Sequence, residues 1–374
     1  MKIIVFFTYG ISLKIWEETG LLEREIKIYQ ELKKKYGIDF TFVTYGDEED
    51  FKYKNLIDDL EIIPIYNLIK YSNNKLIRLF KSVLFPIKLN NLIPKRNYIL
   101  KTNQMYGAWV AIIFKILTNH PLIIRTGYDL VSFSLKQSKN IFKLTIYYIL
   151  TFIALNISDV YISTSKKDIE FLRKFFIFKS KKLIYIPNWV QIKDLVPVNQ
   201  RKKKILTVGR LEKQKNFKYL IEKFKHSDIK LDIYGDGSEK KDLIKLSGQK
   251  NNISFKGTLP NNELIAKYSE YQIFVSTSDY EGNSKTILES MGAGCIVVAP
   301  NIKNNSEIII NNLNGILYDK SYDDLLNIVI TLLSNPKKMD LISKEANKNI
   351  RNNNSLEKIT MMENDCYQML LNKL

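Results

Sequence analysis

The chain alternates short apolar, β-branched runs with stretches of helical periodicity, and it does so twice. The first series reads Lys2–Thr8, Phe40–Tyr45, Glu61–Ile65, Tyr98–Leu100, Leu122–Thr126, Asp159–Ser163 and Leu183–Pro187, with one long helix over about Lys14–Lys35. The second restarts at Lys204–Gly209 and continues through Lys230–Tyr234, Ile253–Lys256, Gln272–Ser276, Cys295–Ala299 and Gly315–Tyr318. Such alternation implies parallel sheets covered by helices. The predicted class is therefore α/β, with two Rossmann-like domains facing a central cleft, where open α/β sheets bind ligands. Residues 191–203 carry Pro197, Asn199 and the basic cluster 201–204 and read as a linker, which sets domains at 1–196 and 197–354. Helices from about Ser321, Pro336 and Ser355 close the chain, the last of them (about 355–374) packing back onto the first domain. A length of 374 residues suits two domains with full cores.

The formal net charge of +18 suits three kinds of partner: nucleic acid, an anionic membrane surface or phosphorylated substrates. The excess is concentrated. From Ile62 to Tyr128 there is no acidic residue, while Lys70, Lys75, Arg78, Lys81, Lys88, Lys95, Arg96, Lys101, Lys115 and Arg125 fall there, interleaved with Tyr66, Tyr71, Phe80, Phe85 and Tyr98. This pattern fits peripheral contact with anionic lipid through the span 66–101, and it fits a solvated basic face. No nucleic-acid motif accompanies the charge, so no nucleic acid is expected as partner. Leu144–Ser158 is uncharged but short of the ~20 residues a bilayer span needs, and reads as a buried core helix. Only Cys295 and Cys366 are present, which argues against a disulfide framework and for a reducing compartment. Met1–Thr8 reads as a strand and not as a signal segment, so the expected location is cytoplasmic.

Chemistry concentrates in the second half. In Glu281–Gly294, Ser284 starts a helix that Gly294 ends, and Glu289 lies about one and a half turns inside it, beside Leu288 and Met291. An ionised carboxylate there needs hydrogen bonds, which a vicinal diol such as a ribose could supply. Glu281 sits just before the helix, where N–H groups and the helix dipole favour phosphate and Gly282 lets a ligand approach. On spacing alone, a plain surface glutamate fits equally. After the first strand of the second series comes Gly209, then Arg210 and Lys215, two cations at a strand-to-helix turn that suit a diphosphate. Gly235-Asp236-Gly237 follows the next strand. A dinucleotide fingerprint would need a third glycine where Lys240 stands, so hydride transfer is disfavoured and a tight turn with a passing nucleotide contact remains. In the first half, Thr8-Tyr9-Gly10 ends the first strand, and Gly20 interrupts a helical pattern either as a break or as a place for a ligand. His120 and His226 have no catalytic setting, no Asp-x-Asp triplet occurs and no cluster has metal-ligand spacing, so neither metal nor other cofactor is expected.

Taken in order, Arg210 with Lys215, the Gly-Asp-Gly turn, Glu281-Gly282 with Glu289, and the closing helix resemble retaining glycosyltransferases of family 4, also called glycosyl transferases group 1, which have the GT-B fold. The likeness is strong over 204–318. It continues more loosely through Gly20-x-x-x-Arg24-Glu25, Arg125-Thr-Gly-Tyr-Asp129, Ser158–Ser165 and Ile186–Val190. The resemblance implies that the first domain takes the acceptor, with Gly20, Arg125 and Asp129 on that side. It further implies that Gly209, Gly235 and Gly237 shape the donor site and that Arg210 and Lys215 hold the diphosphate. Glu289 would hold the ribose, Glu281 would contact the donor sugar, and the backbone from Gly282 through Asn283 to Ser284 would approach the phosphates. Glu281, Arg210 and Lys215 would then carry the chemistry, a front-face displacement in which the departing phosphate deprotonates the acceptor hydroxyl. Asn283 and Ser284 stand where the family often has an aromatic residue or proline, and only His120 is available for a histidine many members place at the donor sugar.

The expected activity is metal-independent, retaining transfer of a sugar from a UDP- or GDP-sugar to a bacterial surface glycan such as lipopolysaccharide, capsule or exopolysaccharide. The glycan is lipid-linked in one form of this reading, with the protein peripheral on the inner face of the cytoplasmic membrane. A sugar-nucleotide epimerase or hydrolase of the same fold, and a basic nucleic-acid-binding protein, are the alternatives.

Overall fold

Every run read as a strand forms one in the computed structural model, which describes residues 1–93, 97–137, 140–177, 183–248 and 252–372. Unit 1 comprises Met1–Ile186 together with the residues from Thr360 on; unit 2 is Pro187–Ile359. In unit 1, β1 (Lys2–Phe6), β2 (Asp39–Thr44), β3 (Glu61–Pro64), β4 (Tyr98–Thr102), β5 (Leu122–Thr126), β6 (Val160–Ser163) and β7 (Leu183–Tyr185) form one parallel sheet of order β3-β2-β1-β4-β5-β6-β7. In unit 2, β8 (Lys202–Val208), β9 (Leu231–Tyr234), β10 (Ile253–Gly257), β11 (Tyr271–Val275), β12 (Ile296–Pro300) and β13 (Ile316–Tyr318) form another, ordered β10-β9-β8-β11-β12-β13. Each order reverses once, between β1 and β4 and between β8 and β11. Such a reversal splays the loops at the carboxyl ends of the two central strands and leaves room for a ligand.

Unit 1 carries α1 (Leu13–Glu18), α2 (Leu22–Tyr36), α3 (Ile65–Leu68), α4 (Lys75–Asn90), α5 (Ala108–Thr118), α6 (Leu130–Gln137), α7 (Ile141–Ile157) and α8 (Lys166–Phe175). Unit 2 carries α9 (Phe217–Phe224), α10 (Lys240–Ser247), α11 (Asn261–Tyr268), α12 (Lys285–Gly292), α13 (Asn305–Ile308), α14 (Leu325–Leu333) and α15 (Pro336–Asn354). Then α16 (Leu356–Leu371) starts in unit 2 and ends in unit 1. A buried ion pair holds its far end: Lys101 on β4, almost wholly buried, bonds Glu363 and donates to the Tyr367 hydroxyl 2.8 Å away.

Four expectations need correction. The helix drawn over Lys14–Lys35 is two helices, because Gly20 (φ +68°) closes α1: its N–H donates to Glu17 O and that of Leu21 to Trp16 O, the paired bonds of a glycine-terminated helix. The unit boundary lies at 186/187, not 197. The stretch 191–203 read as a linker lies inside unit 2: just before it Val190 is core and Asn188 bonds Asn283, and within it Val196 O accepts from the Arg201 guanidinium. The run Leu144–Ser158 is not a buried helix: within α7, Thr151, Ala154 and Leu155 are buried while Ile141, Phe142, Ile149 and Phe152 are exposed. A helix apolar on all sides carries no sign of which side faces the core. Finally, part of the basic span points inward: Lys101 meets Glu363, Lys115 meets Asp159 at 2.5 Å, and Arg125 lies 3.8 Å from Glu363. Lys95 and Arg96 lie outside the described residues, as do 373 and 374, to which the closing helix was expected to run. Among the described residues no helix is long and apolar enough to cross a membrane.

Candidate active site

The residues singled out in unit 2 converge on its strand-order reversal. Lys215 ends a short 3-10 turn after β8, and Glu281 lies in the loop after β11, the neighbour of β8 across the reversal. Their side chains meet with Lys215 Nζ 2.5 Å from Glu281 Oε1, and both are largely buried. Several bonds hold the two loops together: Thr277 Oγ1 to Lys215 O (2.9 Å), Gln214 Nε2 to Tyr280 O (2.8 Å), Asp279 N to Gln214 O (3.0 Å) and Asn216 Nδ2 to Asp279 Oδ1 (3.0 Å). Lys320 adds a third side, donating to Thr277 O and to Asp279 Oδ1 at 2.5 Å each. Arg210, by contrast, is exposed, and its guanidinium makes no hydrogen bond or ion pair among the described residues. A fixed lysine and an unengaged arginine therefore border the same loop.

The glycines divide by role. Gly235 has φ +146°, and a Cβ there would come within 1.9 Å of Gly209 O; one on Gly237 would meet Leu211 O at 2.5 Å. Backbone bonds run the same way, from Gly209 N to Tyr234 O (3.0 Å) and from Leu211 N to Asp236 O (2.8 Å). These glycines let the β9 loop lie directly on the β8 loop, and that packing accounts for them without any ligand. Glu212 seals the join, its carboxylate accepting from Ser238 N and Oγ, which hold its pKa below the usual carboxylate range.

α12 begins three residues beyond Gly282. Ser284 sits at its N-cap, but its side chain bonds none of the first-turn N–H groups and instead lies 3.2 Å from Thr286 Oγ1. Asn283 is committed elsewhere: its Oδ1 accepts from Asn188 N (3.1 Å) and its carbonyl from Asn188 Nδ2 (2.9 Å), while Asn188 O accepts from Asn354 (2.8 Å). Glu289, on the buried face of α12, accepts from Asn261 Nδ2 and from the Tyr268 hydroxyl, both at 3.3 Å. Asn261 and Tyr268, the two ends of α11, were not singled out from sequence, nor was Asn354, and Asn188 stood out only as part of Ile186–Val190, without its partners. No spacing in the chain pairs residues so far apart, and a buried glutamate says only that partners must exist.

In unit 1 the expected acceptor-side residues do not form such a cluster. Gly20 ends a helix, as described. Arg125, on β5, points at Glu363. Asp129 is buried; its Oδ1 accepts from Ser132 N (2.6 Å), its own N–H donates to Asp168 Oδ2 (3.0 Å), and burial pushes its pKa up to about 7. It caps the start of α6. What lies at the strand-order reversal of unit 1 is aromatic. Tyr9 follows β1 and Tyr106 follows β4; Tyr9 N donates to Tyr106 O (3.0 Å), and the Tyr9 ring packs on Tyr45, Tyr106 and Trp109 with centroids 5.0–5.8 Å apart. Gly107 (φ +104°) makes room, since a Cβ there would meet Tyr9 N at 2.7 Å. Thr8-Tyr9-Gly10 marked the place in the sequence, but not its partners. Among the described residues no group of three or more His, Cys, Asp or Glu side chains is placed to hold a metal ion.

Residues 191–349 match the glycosyl transferases group 1 family. The chain is 29% identical over 215 residues to the poly(ribitol-phosphate) alpha-N-acetylglucosaminyltransferase of Staphylococcus aureus, a match that takes in 54% of this chain and only 42% of that protein. It is 26% identical over 329 residues to the UDP-Gal:alpha-D-GlcNAc-diphosphoundecaprenol alpha-1,3-galactosyltransferase of Escherichia coli, covering 79% of this chain and 82% of the relative. In structure it resembles HepE from Anabaena, solved in complex with UDP, at a TM-score of 0.74 and 15% identity, over 99% of this chain and all of the other.

Proposed function

From the premise that residues 191–349 are a glycosyl transferases group 1 domain in a chain of GT-B fold, we propose that this glycosyltransferase moves a sugar from a UDP- or GDP-sugar to a bacterial glycan carried on a lipid diphosphate. Transfer proceeds with retention and without a resident metal. The observation that carries the donor site is the Lys215–Glu281 pair at the β8/β11 reversal, beside the start of α12 and on the same loop-and-helix unit as Glu289. A diphosphate there meets Lys215, the free Arg210 and the opening N–H groups of α12, donors that favour its charge. Glu289, oriented by Asn261 and Tyr268 on the buried face of α12, takes the ribose hydroxyls, and Glu281 faces the sugar.

In the reaction the acceptor oxygen forms a bond to the anomeric carbon on the face from which the phosphate oxygen leaves. The acceptor proton passes to that phosphate, giving the glycoside and the nucleoside diphosphate. Arg210 and Lys215 stabilise the charge growing on the leaving group, which is where preorganised donors contribute most. The diphosphoundecaprenol substrate in the name of the Escherichia coli relative supports a lipid-linked acceptor. Such an acceptor goes with a place on the inner face of the cytoplasmic membrane and peripheral contact through the basic span 66–101.

UDP and GDP titrations of the wild type, Arg210→Ala and Glu289→Ala test the site. Affinity should fall by about tenfold or more in each variant, the scale of one lost charge-assisted hydrogen bond. Unchanged affinity in both would sink the assignment.

A further inference from the structure

The apolar surface of unit 1 is larger than its core requires. α4 buries Ser82, Phe85, Pro86 and Leu89 on one side, while Leu76, Phe80, Val83, Leu84 and Ile87 recur at helical spacing on the other and stay exposed, Phe80 at 64%. α7 repeats the arrangement, exposing Ile141 and Phe142 at 77% each and then Ile149 and Phe152. α5 packs against both helices and adds exposed Ile116 and Leu117 at its end. Isolated exposed apolar residues are ordinary, but two long helices each with a full apolar stripe toward solvent are the mark of an interaction surface.

Charge identifies the partner. From Ile62 to Ser158 the chain contains one acidic residue, Asp129, and it is buried. The cations of α4 are tethered along one flank: Lys81 Nζ donates to Lys70 O (2.7 Å), Lys88 Nζ to Leu68 O (3.2 Å), and Arg78 bonds the exposed Tyr71 hydroxyl, its guanidinium 5.1 Å from that ring. Lys136 on α6 and Lys143 on α7 flank the exposed Leu135, Ile141 and Phe142. Apolar stripes edged by lysine, arginine and tyrosine, with no exposed carboxylate in that stretch of chain, complement a negatively charged surface with an apolar interior.

We propose that α4 and α7 form a lipid-seating surface whose apolar stripes enter the acyl boundary of an anionic bilayer while the flanking cations engage its phosphates. The inference rests on the membrane contact proposed above and changes its nature: insertion of side chains across two helices, not adhesion of a basic segment alone. The occupant is the bilayer and not a second copy of the chain, since two such basic faces would repel.

Flotation of the full-length protein with vesicles of phosphatidylethanolamine and phosphatidylglycerol, at low and high salt, tests this beside vesicles of phosphatidylcholine. The wild type should bind the anionic vesicles and keep part of that binding at high salt, where screened charges no longer hold it. Phe80→Ser with Leu84→Ser, and separately Phe142→Ser with Phe152→Ser, should lower the high-salt partition at least tenfold, with the thermal shift produced by UDP unchanged. Binding that salt abolishes and the serine variants retain overturns insertion while leaving electrostatic contact in place. No vesicle binding at either salt overturns both readings, and a dimer dispersed by the same substitutions overturns the bilayer as occupant. Because both native cysteines are buried, Phe142→Cys can be labelled with a polarity-sensitive dye. Its emission should shift to the blue on anionic vesicles and that of Tyr322→Cys on unit 2 should not; no shift at Phe142 overturns the proposal even if the serine variants misfold.

Discussion

Lys215 Nζ lies 2.5 Å from Glu281 Oε1, a bond that joins the loop after β8 to the loop after β11 across 66 residues of chain. Before any nucleotide arrives, the ammonium suited to a diphosphate is therefore neutralised by a carboxylate that repels one. In the proposed donor site, nucleotide binding would trade that pair for a new one, and substitutions of the two residues should move nucleotide affinity in opposite directions.

Glu281→Gln should bind UDP more tightly, by about threefold to tenfold, because a negative charge beside the phosphate site is removed, while the rate of sugar transfer falls. Lys215→Ala should lose both affinity and rate. Calorimetric titration with UDP and initial rates with donor and acceptor separate these effects. Weaker UDP binding by Glu281→Gln would contradict the competition.

Gly235→Ala should destabilise unit 2 by about 2–4 kcal/mol, since it sets a methyl 1.9 Å from Gly209 O at a backbone angle L-residues rarely adopt. Gly10→Ala, with a positive φ but nothing within 4 Å, should cost about 1 kcal/mol. Urea unfolding of the two variants compares them directly, and equal losses would show that the loop-on-loop contact is slack.

Asp129 makes stability depend on pH. Its folded pKa of about 7 stands above the unfolded value near ~4, so the folded state holds the proton more tightly. The contribution is full below about pH 4 and is lost as pH rises to about 7, at most about 1.4 kcal/mol per pH unit. Asp129→Asn, which keeps the helix cap, should flatten the stability profile over pH 4–7; an unchanged profile would mean that another group sets it.

Glu363→Ala should cost about 3–5 kcal/mol because it strands the Lys101 ammonium inside unit 1. Replacing both, Lys101→Met with Glu363→Leu, should cost less than the single change. Chemical denaturation of both variants decides it, and a double variant weaker than the single would show that the charges hold α16 in register.

How much of this could be read from the chain follows from where each signal resides. The strands were legible because a buried parallel sheet needs continuous apolar runs, and all of them were found within a few residues. The loop carrying Glu281, the turn carrying Lys215 and the glycines at 209, 235 and 237 stood out because each breaks local pattern at a strand end. Partners were not legible: Asn261 and Tyr268 reach Glu289, and Asn188 reaches Asn283, through tertiary packing that leaves no periodicity. Arg125 and Asp129 were named only through the family resemblance, which carries no information on their neighbours: Arg125 lies 3.8 Å from Glu363, and buried Asp129 accepts from Ser132 N. The apolar run of α7 announced burial, but apolarity records affinity for a nonpolar surrounding, not whether the protein itself supplies it.

The path of α16 bears on the order in which the protein is made. Lys101 leaves the ribosome 262 residues before Glu363 and 266 before Tyr367. Until they emerge, the first unit has a buried lysine with no counter-ion and an uncovered patch over β4, whereas the second already has every strand of its sheet. Vectorial synthesis should thus complete the second unit first and leave the first, although begun earlier, to close only once the residues from Thr360 on have emerged.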